Sequence, residues 1–250
     1  MRLIVKNIEF IIKKLLPKKY LFKKRILREI KKKKEPEISL IKDLIEPETD
    51  SIDIGVYRGV HSYEMSKYSK IIHSFEPNPV IYKDLKKTLP LIIDNLKLYN
   101  YALSDKNITK NLRIPIRNLK ANKLNYEEFY EMGKATIHEE NKFENYENFK
   151  VECKILDDFK FNNSISFIKI DVEGHEISVL NGAKIIIKKF KPNLLIEIEE
   201  RHSKRNVKDT INFVCSFGYN SYVFKENKLI NTNLVINLND HNNFIFKEIK

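Results

Sequence analysis

The feature that most constrains the fold of this 250-residue chain is an alternation of short apolar runs with turn residues and helical stretches. That is the sequence pattern of β and α units arranged around a mostly parallel sheet. Five runs carry it, at residues 51–55, 71–76, 96–103, 166–171 and 193–199, and four of them end in an acidic residue or lead into Gly, Pro or Asp. Ligands in open α/β sheets bind outside the carboxyl ends of the strands, so polar residues there are the ones to read for chemistry. Residues 207–217 read as a helix, 218–220 as a turn, and 221–224 and 243–246 as β-like segments, so the sheet should finish with antiparallel strands. A long polar stretch, 106–150, separates the third run from the fourth and holds strand-like pieces at 112–116 and 151–156. A connection of that length is usually functional or disordered.

Charge is distributed unevenly. The formal net charge is +12, yet residues 1–34 hold 14 basic residues against Glu9 and Glu29, so the rest of the chain is balanced. A nucleic-acid-binding fold normally spreads its basic residues over a folded face, so a neutral body with a cationic leader makes nucleic acid an unlikely partner. Within the leader, Ile4, Val5, Ile8, Ile11, Ile12, Leu15 and Leu16 recur at helical spacing, Pro17 should end that helix, and a second helical stretch should follow from Lys18 to the basic run at 31–34. Glu35-Pro36-Glu37 marks a boundary, giving a basic helical extension at 1–36 and one globular domain at 37–250. No apolar run approaches the roughly 20 residues of a membrane span, and a signal peptide's uncharged core is missing, so a cytoplasmic location is expected. Cys153 and Cys215 have no CxxC partner or His pair and read as buried thiols rather than a disulfide or zinc site.

The strand ends carry the chemistry. Residues 51–62 form a strand entering a turn with Asp53, Gly55, Tyr57 and Gly59, and Ser62 capping the next helix. Gly55-xxx-Gly59 lacks the third glycine of a dinucleotide fingerprint, and an acid in front suits a cationic ligand, so S-adenosylmethionine fits better than NAD. Glu76, 23 residues beyond Asp53 in Phe75-Glu76-Pro77-Asn78-Pro79, stands where a carboxylate would accept from both ribose hydroxyls, although an N-cap and turn would also explain it. Ser104 and Asp105 end the third run, placed to face an adenine edge or as ordinary turn chemistry. The fourth run ends in the densest cluster, Lys169-Ile170-Asp171-Val172-Glu173-Gly174-His175-Glu176, where crowding could raise one carboxyl's pKa or hold a cation.

Together with Leu156-Asp157-Asp158, Leu180-Asn181-Gly182-Ala183 and Pro192 to Glu197, these motifs in this order resemble the FkbM family of S-adenosylmethionine-dependent methyltransferases over roughly residues 50–200. The resemblance implies a class I, Rossmann-like α/β fold with a mostly parallel seven-stranded sheet, helices on both faces, and methyl transfer to an oxygen, often on a sugar or small natural product. Family members commonly read Asp-Ile-Gly-Ala-Asn where this chain has Val56, Tyr57 and Arg58 after Gly55. Such a transfer needs a base to take the hydroxyl proton. Asp171 is the first candidate and Glu173 the second, with His175 as a possible partner and Glu197 lining the acceptor side; a structural carboxylate at a helix start is the alternative for Asp171. Cofactor contacts are expected from Asp53, Gly55, Tyr57, Gly59, Glu76, Asn78, Ser104, Asp105 and Asp171. Several of the carboxylates could ligate a divalent metal, but no spacing demands one. The tyrosines of 118–149 make that segment a candidate acceptor lid on which a sugar would stack. The cationic leader would allow peripheral contact with the inner, anionic face of a membrane, or would simply pack its apolar face on the domain. The competing class is a non-catalytic methyltransferase-fold module recruited to anionic membrane or RNA by that leader.

Overall fold

The computed structural model describes residues 17–32, 35–121 and 126–249. The helix expected over 1–16 lies outside the described residues. Continuous burial explains the central strands. β1 (Asp50–Ile54) and β7 (Ile165–Ile170) are buried at every position, as strands covered on both faces must be. On one side of β1 lie β2 (Ile72–Phe75) and then β3 (Leu96–Tyr99), and on the other β7 and then β8 (Asn193–Glu197), all parallel. β11 (Asn243–Glu248) enters antiparallel beside β8 and pairs with β9 (Tyr219–Lys225), whose far edge carries β10 (Lys228–Asn231).

The order is therefore β3-β2-β1-β7-β8-β11-β9-β10. The sheet has eight strands rather than the expected seven because Glu226 and Asn227, at φ 51° and 60°, make a two-residue hairpin that folds 228–231 back onto β9. Tyr219 also begins a strand instead of sitting in a turn, its ring buried and its hydroxyl donating to the Pro192 carbonyl at 2.9 Å. Strand order reverses between β1 and β7, which opens a crevice at their carboxyl ends.

The expected run at 96–103 is two strands, in two sheets. Asn100 leaves the main sheet to donate its amide to the carbonyls of Glu76 and Pro77, and β4 (Ala102–Leu103) pairs instead with β6 (Tyr146–Lys154). β6 in turn pairs along its length with β5 (Ile108–Pro115). The two ends of the stretch at 106–150 thus pair as a hairpin, and with the described residues between them they form a separate core in which Leu112, Ile114, Tyr130, Ile137, Val151 and Cys153 are buried. Tyr130 lies inside that core, so its ring offers no stacking face to a sugar, whereas Tyr126 and Tyr146 are exposed. Cys153 is buried and Cys215 half-buried, both as free thiols.

Helix Lys18–Lys31 packs against the domain rather than standing off it. Phe22 and Ile26 are buried in one cluster with Tyr63, Met65, Leu85 and Leu89, while Lys19, Lys23, Lys24, Arg28 and Lys31 face outward. Beyond it, Pro36–Leu40 forms a 3₁₀ turn that buries Ile38 and leads into Ile41 and Leu44 of the core. No helix among the described residues is long and apolar enough to cross a membrane.

Candidate active site

Three strand ends are clamped together at the crevice. Asp171 N donates to the Ile54 carbonyl and Gly55 N to the Phe75 carbonyl, each at 3.0 Å. Gly55 has φ +87°, and a Cβ there would stand 1.8 Å from the Asp171 carbonyl oxygen. The backbone can come this close only without a side chain. Gly55→Ala is expected to cost more than about 3 kcal/mol, because both the left-handed φ and the backbone contact oppose it; urea unfolding measures this.

Past Gly55, the Tyr57 amide donates to Glu76 Oε2 and the Asn78 amide to Oε1, both at 2.8 Å. Glu76 is buried on the cleft wall, and burial pushes its carboxyl up to about 7 against the opposing pull of those two amides. Asn78 serves as N-cap to helix Pro79–Thr88, accepting from the amides of Val80 and Ile81. Gly59, at φ 74°, begins helix Val60–Met65 and packs on Leu89. The cleft is also walled by Tyr101, Leu103, Met132, Gly133, Ile137 and Val172, a mostly apolar lining usual for small-molecule sites.

Asp53 lies behind this wall. It is fully buried, Oδ2 accepts from Ser62 Oγ at 2.5 Å, and Oδ1 has no hydrogen-bond partner among the described residues but lies 3.8 Å from Lys169 Nζ. Lys169 is one of two residues, with His202, that reading the sequence for site chemistry missed. Its Nζ donates to Asp171 Oδ2 at 2.9 Å and to the Gly55 carbonyl at 3.1 Å. Burial alone would lower its pKa, but Asp171 and Asp53 outweigh it and hold the ammonium charged. A lysine between Ile168 and Ile170 in a wholly buried strand was the available signal.

Asp171, Glu173 and Glu197 each place an oxygen within 4.8 Å of the others. Burial first, then the neighbouring Asp171, pushes Glu197 up to about 11, so it is protonated and hydrogen-bonded to Asp171. Burial would raise Asp171 as well, but Lys169 and the bond from Glu197 hold it below the usual carboxylate range. Glu173 differs. It lies on the cleft at φ +53°, its carbonyl held by Thr136 Oγ1 at 2.8 Å and Asn141 Nδ2 at 2.9 Å. Its Oε2 is 2.6 Å from His202 Nδ1, while His202 Nε2 is 3.4 Å from Glu199. Burial raises the Glu173 carboxyl although His202 opposes it, and the bond to Glu173 raises His202. His202 escaped the sequence reading because it follows the fifth strand end on a short turn, Glu200–Ser203, with no motif around it.

His175 lines the cleft, but its Nε2 is bonded to Ser104 Oγ at 2.9 Å, and burial with the Lys110 charge lowers it to about 4, so it is neutral. Ser104 also bonds Asp105 at 3.1 Å. Neither Ser104 nor Asp105 is on the cleft wall; the pair supports the His175 loop.

The profile of the methyltransferase FkbM domain matches residues 53–221. No curated protein matches the chain. Among solved structures, the chain is similar to the methyltransferase FkbM of Methylobacillus flagellatus KT, with 14% identity and a TM-score of 0.45 over 84% of this chain and 50% of that one. This chain therefore spans half the length of that protein. It is also similar to an rRNA methylase of Streptococcus thermophilus, with 11% identity and a TM-score of 0.47 over 86% and 95% of the two chains. The SMU.1697c protein of Streptococcus mutans, crystallised with SAH, gives 10% identity and a TM-score of 0.48 over 86% and 97%.

Proposed function

Because the chain belongs to the FkbM methyltransferase domain family, we propose that it is an S-adenosylmethionine-dependent O-methyltransferase acting on a hydroxyl of a sugar, glycan or related small molecule. The observation that carries this reading is the Glu173–His202 pair, a 2.6 Å acid–base couple that reaches the same cleft as the amide-clamped Glu76. The residues present fit the cofactor. Glu76 has both oxygens fixed by backbone amides and can accept from a ribose diol, and apolar walls such as Leu103 and Val172 suit a purine ring. The acidic side of the cleft, Asp171 and Glu173, suits a cationic ligand group.

When bound, S-adenosylmethionine supplies a methyl group already activated on a sulfonium. The chain's own task is then to orient the acceptor oxygen and take its proton. Asp171 is poorly suited to that, since Lys169 and protonated Glu197 stabilise its anion. Its part is to lock the end of β7 against β1. Glu173 is the better base: its carboxyl is raised by burial, and the proton it takes from the acceptor hydroxyl can be shared with His202 Nδ1. The expected result, with labelled S-adenosylmethionine and a panel of glycans, is a methyl ether gained by at least one sugar. Transfer to amines alone would overturn the oxygen assignment.

A further inference from the structure

Next to the cleft, and sharing Tyr57, Ile81 and Met132 with it, is a second and wider cavity. Its charge is one-sided. Arg25 reaches it from helix Lys18–Lys31, Arg58 from the turn after β1, Lys83 and Lys87 from successive turns of helix Pro79–Thr88, and Arg117 from just beyond β5. Asp84 is the one acid among the described residues that line it, and Glu131 stands 3.7 Å from Arg117. Arg25, Lys83 and Lys87 alone bring three cations from two helices against Asp84 onto one concavity, an excess of positive charge that an anion would offset. The cavity is also aromatic. The Arg58 guanidinium lies 5.2 Å from the centroid of the Tyr57 ring, which forms the partition to the cleft, and the exposed Tyr126 lines the far side. Arginine forks match phosphate oxygens in a bidentate way, and tyrosine faces suit a sugar ring.

We propose that this cavity binds the phosphate-bearing part of the methyl acceptor, which is a phosphorylated sugar whose hydroxyl extends past Tyr57 into the cleft. The proposal rests on the reading of the cleft as a methyltransferase site and names its substrate class. It also gives a role to helix Lys18–Lys31, which puts Arg25 on the cavity while Phe22 and Ile26 anchor it in the core. The phosphate can come from a soluble sugar phosphate or from a sugar carried on a lipid phosphate, and both present the same ester.

The test is calorimetric titration of the full chain, with S-adenosylmethionine present, using glucose 1-phosphate, inorganic pyrophosphate, glucose and glucuronate in turn. Glucose 1-phosphate or pyrophosphate is expected to bind, more weakly as salt rises, while glucose and glucuronate bind at least about tenfold less well. In the Arg25→Ala, Lys87→Ala double variant the phosphate affinity is expected to fall at least about tenfold, with S-adenosylmethionine affinity unchanged as the readout that the cleft is intact. A parallel arm with neutral vesicles carrying a few per cent of a polyprenyl phosphate sugar separates the lipid source from the soluble one. No binding of either phosphate probe up to about 10 mM, equal binding of glucuronate, or phosphate binding untouched in the double variant would overturn the proposal. Any of these with S-adenosylmethionine still bound leaves the methyltransferase reading standing, whereas failure to bind S-adenosylmethionine sinks that reading instead.

Discussion

Glu173→Gln is expected to leave S-adenosylmethionine affinity within about threefold of wild type and to reduce kcat by roughly 10²–10⁴, the range for loss of a positioned general base. The glutamine keeps the side chain's length and an oxygen to accept from His202 Nδ1, so the loop should hold its shape while losing its basicity. The pH profile adds a sharper readout. Both partners are raised, Glu173 by burial and His202 by its bond to that carboxyl group, so the pair holds its shared proton to higher pH than a free imidazole would. A pair in that state accepts a further proton poorly. Turnover should therefore climb as pH rises through a value above 6.5, where His202 is lost as a cation. In His202→Gln the climb should move to lower pH, because Glu173 alone titrates there, with a smaller kcat. Retention of kcat within tenfold in Glu173→Gln would remove Glu173 from the proton transfer, whatever the pH profile shows.

Glu76 governs the other large effect. Its carboxyl, pushed up to about 7, must be ionised to accept two ribose hydroxyls while both amides already point at it. If only the anion binds the diol, the S-adenosylmethionine Kd should weaken roughly tenfold per pH unit below 7 and level off above about 8. Glu76→Gln should raise Kd by about 10²–10³, since two hydrogen bonds to a charged acceptor are each worth about 1.5–3 kcal/mol. It also turns an amide NH₂ toward either the Tyr57 or the Asn78 N–H, an opposed pair of donors that should lower stability by about 1–3 kcal/mol. Calorimetry between pH 5.5 and 8.5 (about one and a half units either side of neutrality) reads both effects. A Kd independent of pH in the wild type would mean that Glu76 binds no ribose or is already ionised throughout.

Much of this geometry was legible along the chain because strand ends announce themselves. The acids at 53, 76, 171 and 197 each follow a short apolar run, and parallel strands bring such ends to one edge. Asp171, Glu173 and Glu197 do meet there. What the sequence hides is orientation and partnership. Asp53 sits on the right strand but turns to Ser62, and Ser104 turns to His175, because a period of two assigns a face without saying what waits on it. Lys169 reads as part of a motif until a buried ammonium is seen joining Gly55 to Asp171. His202 stands 29 positions beyond Glu173 and reaches it only because β7 and β8 lie side by side. Tyr130 was legible as an aromatic in a polar stretch, but its burial depends on a hairpin whose strands begin 38 residues apart.

The seating of Phe22 and Ile26 decides how the basic leader can be studied. Removing residues 1–34 to look for lost vesicle binding would also strip two buried side chains off Tyr63, Met65 and Leu89, and large apolar truncations of that kind cost about 2–5 kcal/mol each. The protein left would be a poor reporter, since exposed core is itself sticky toward lipid. Reversing the charge of the outward lysines 19, 23, 24 and 31 while keeping the helix changes the electrostatics without opening the core. It also follows that any surface captured by those lysines would meet the enzyme in one fixed attitude, with the cleft held at a set angle to it rather than swinging on a tether.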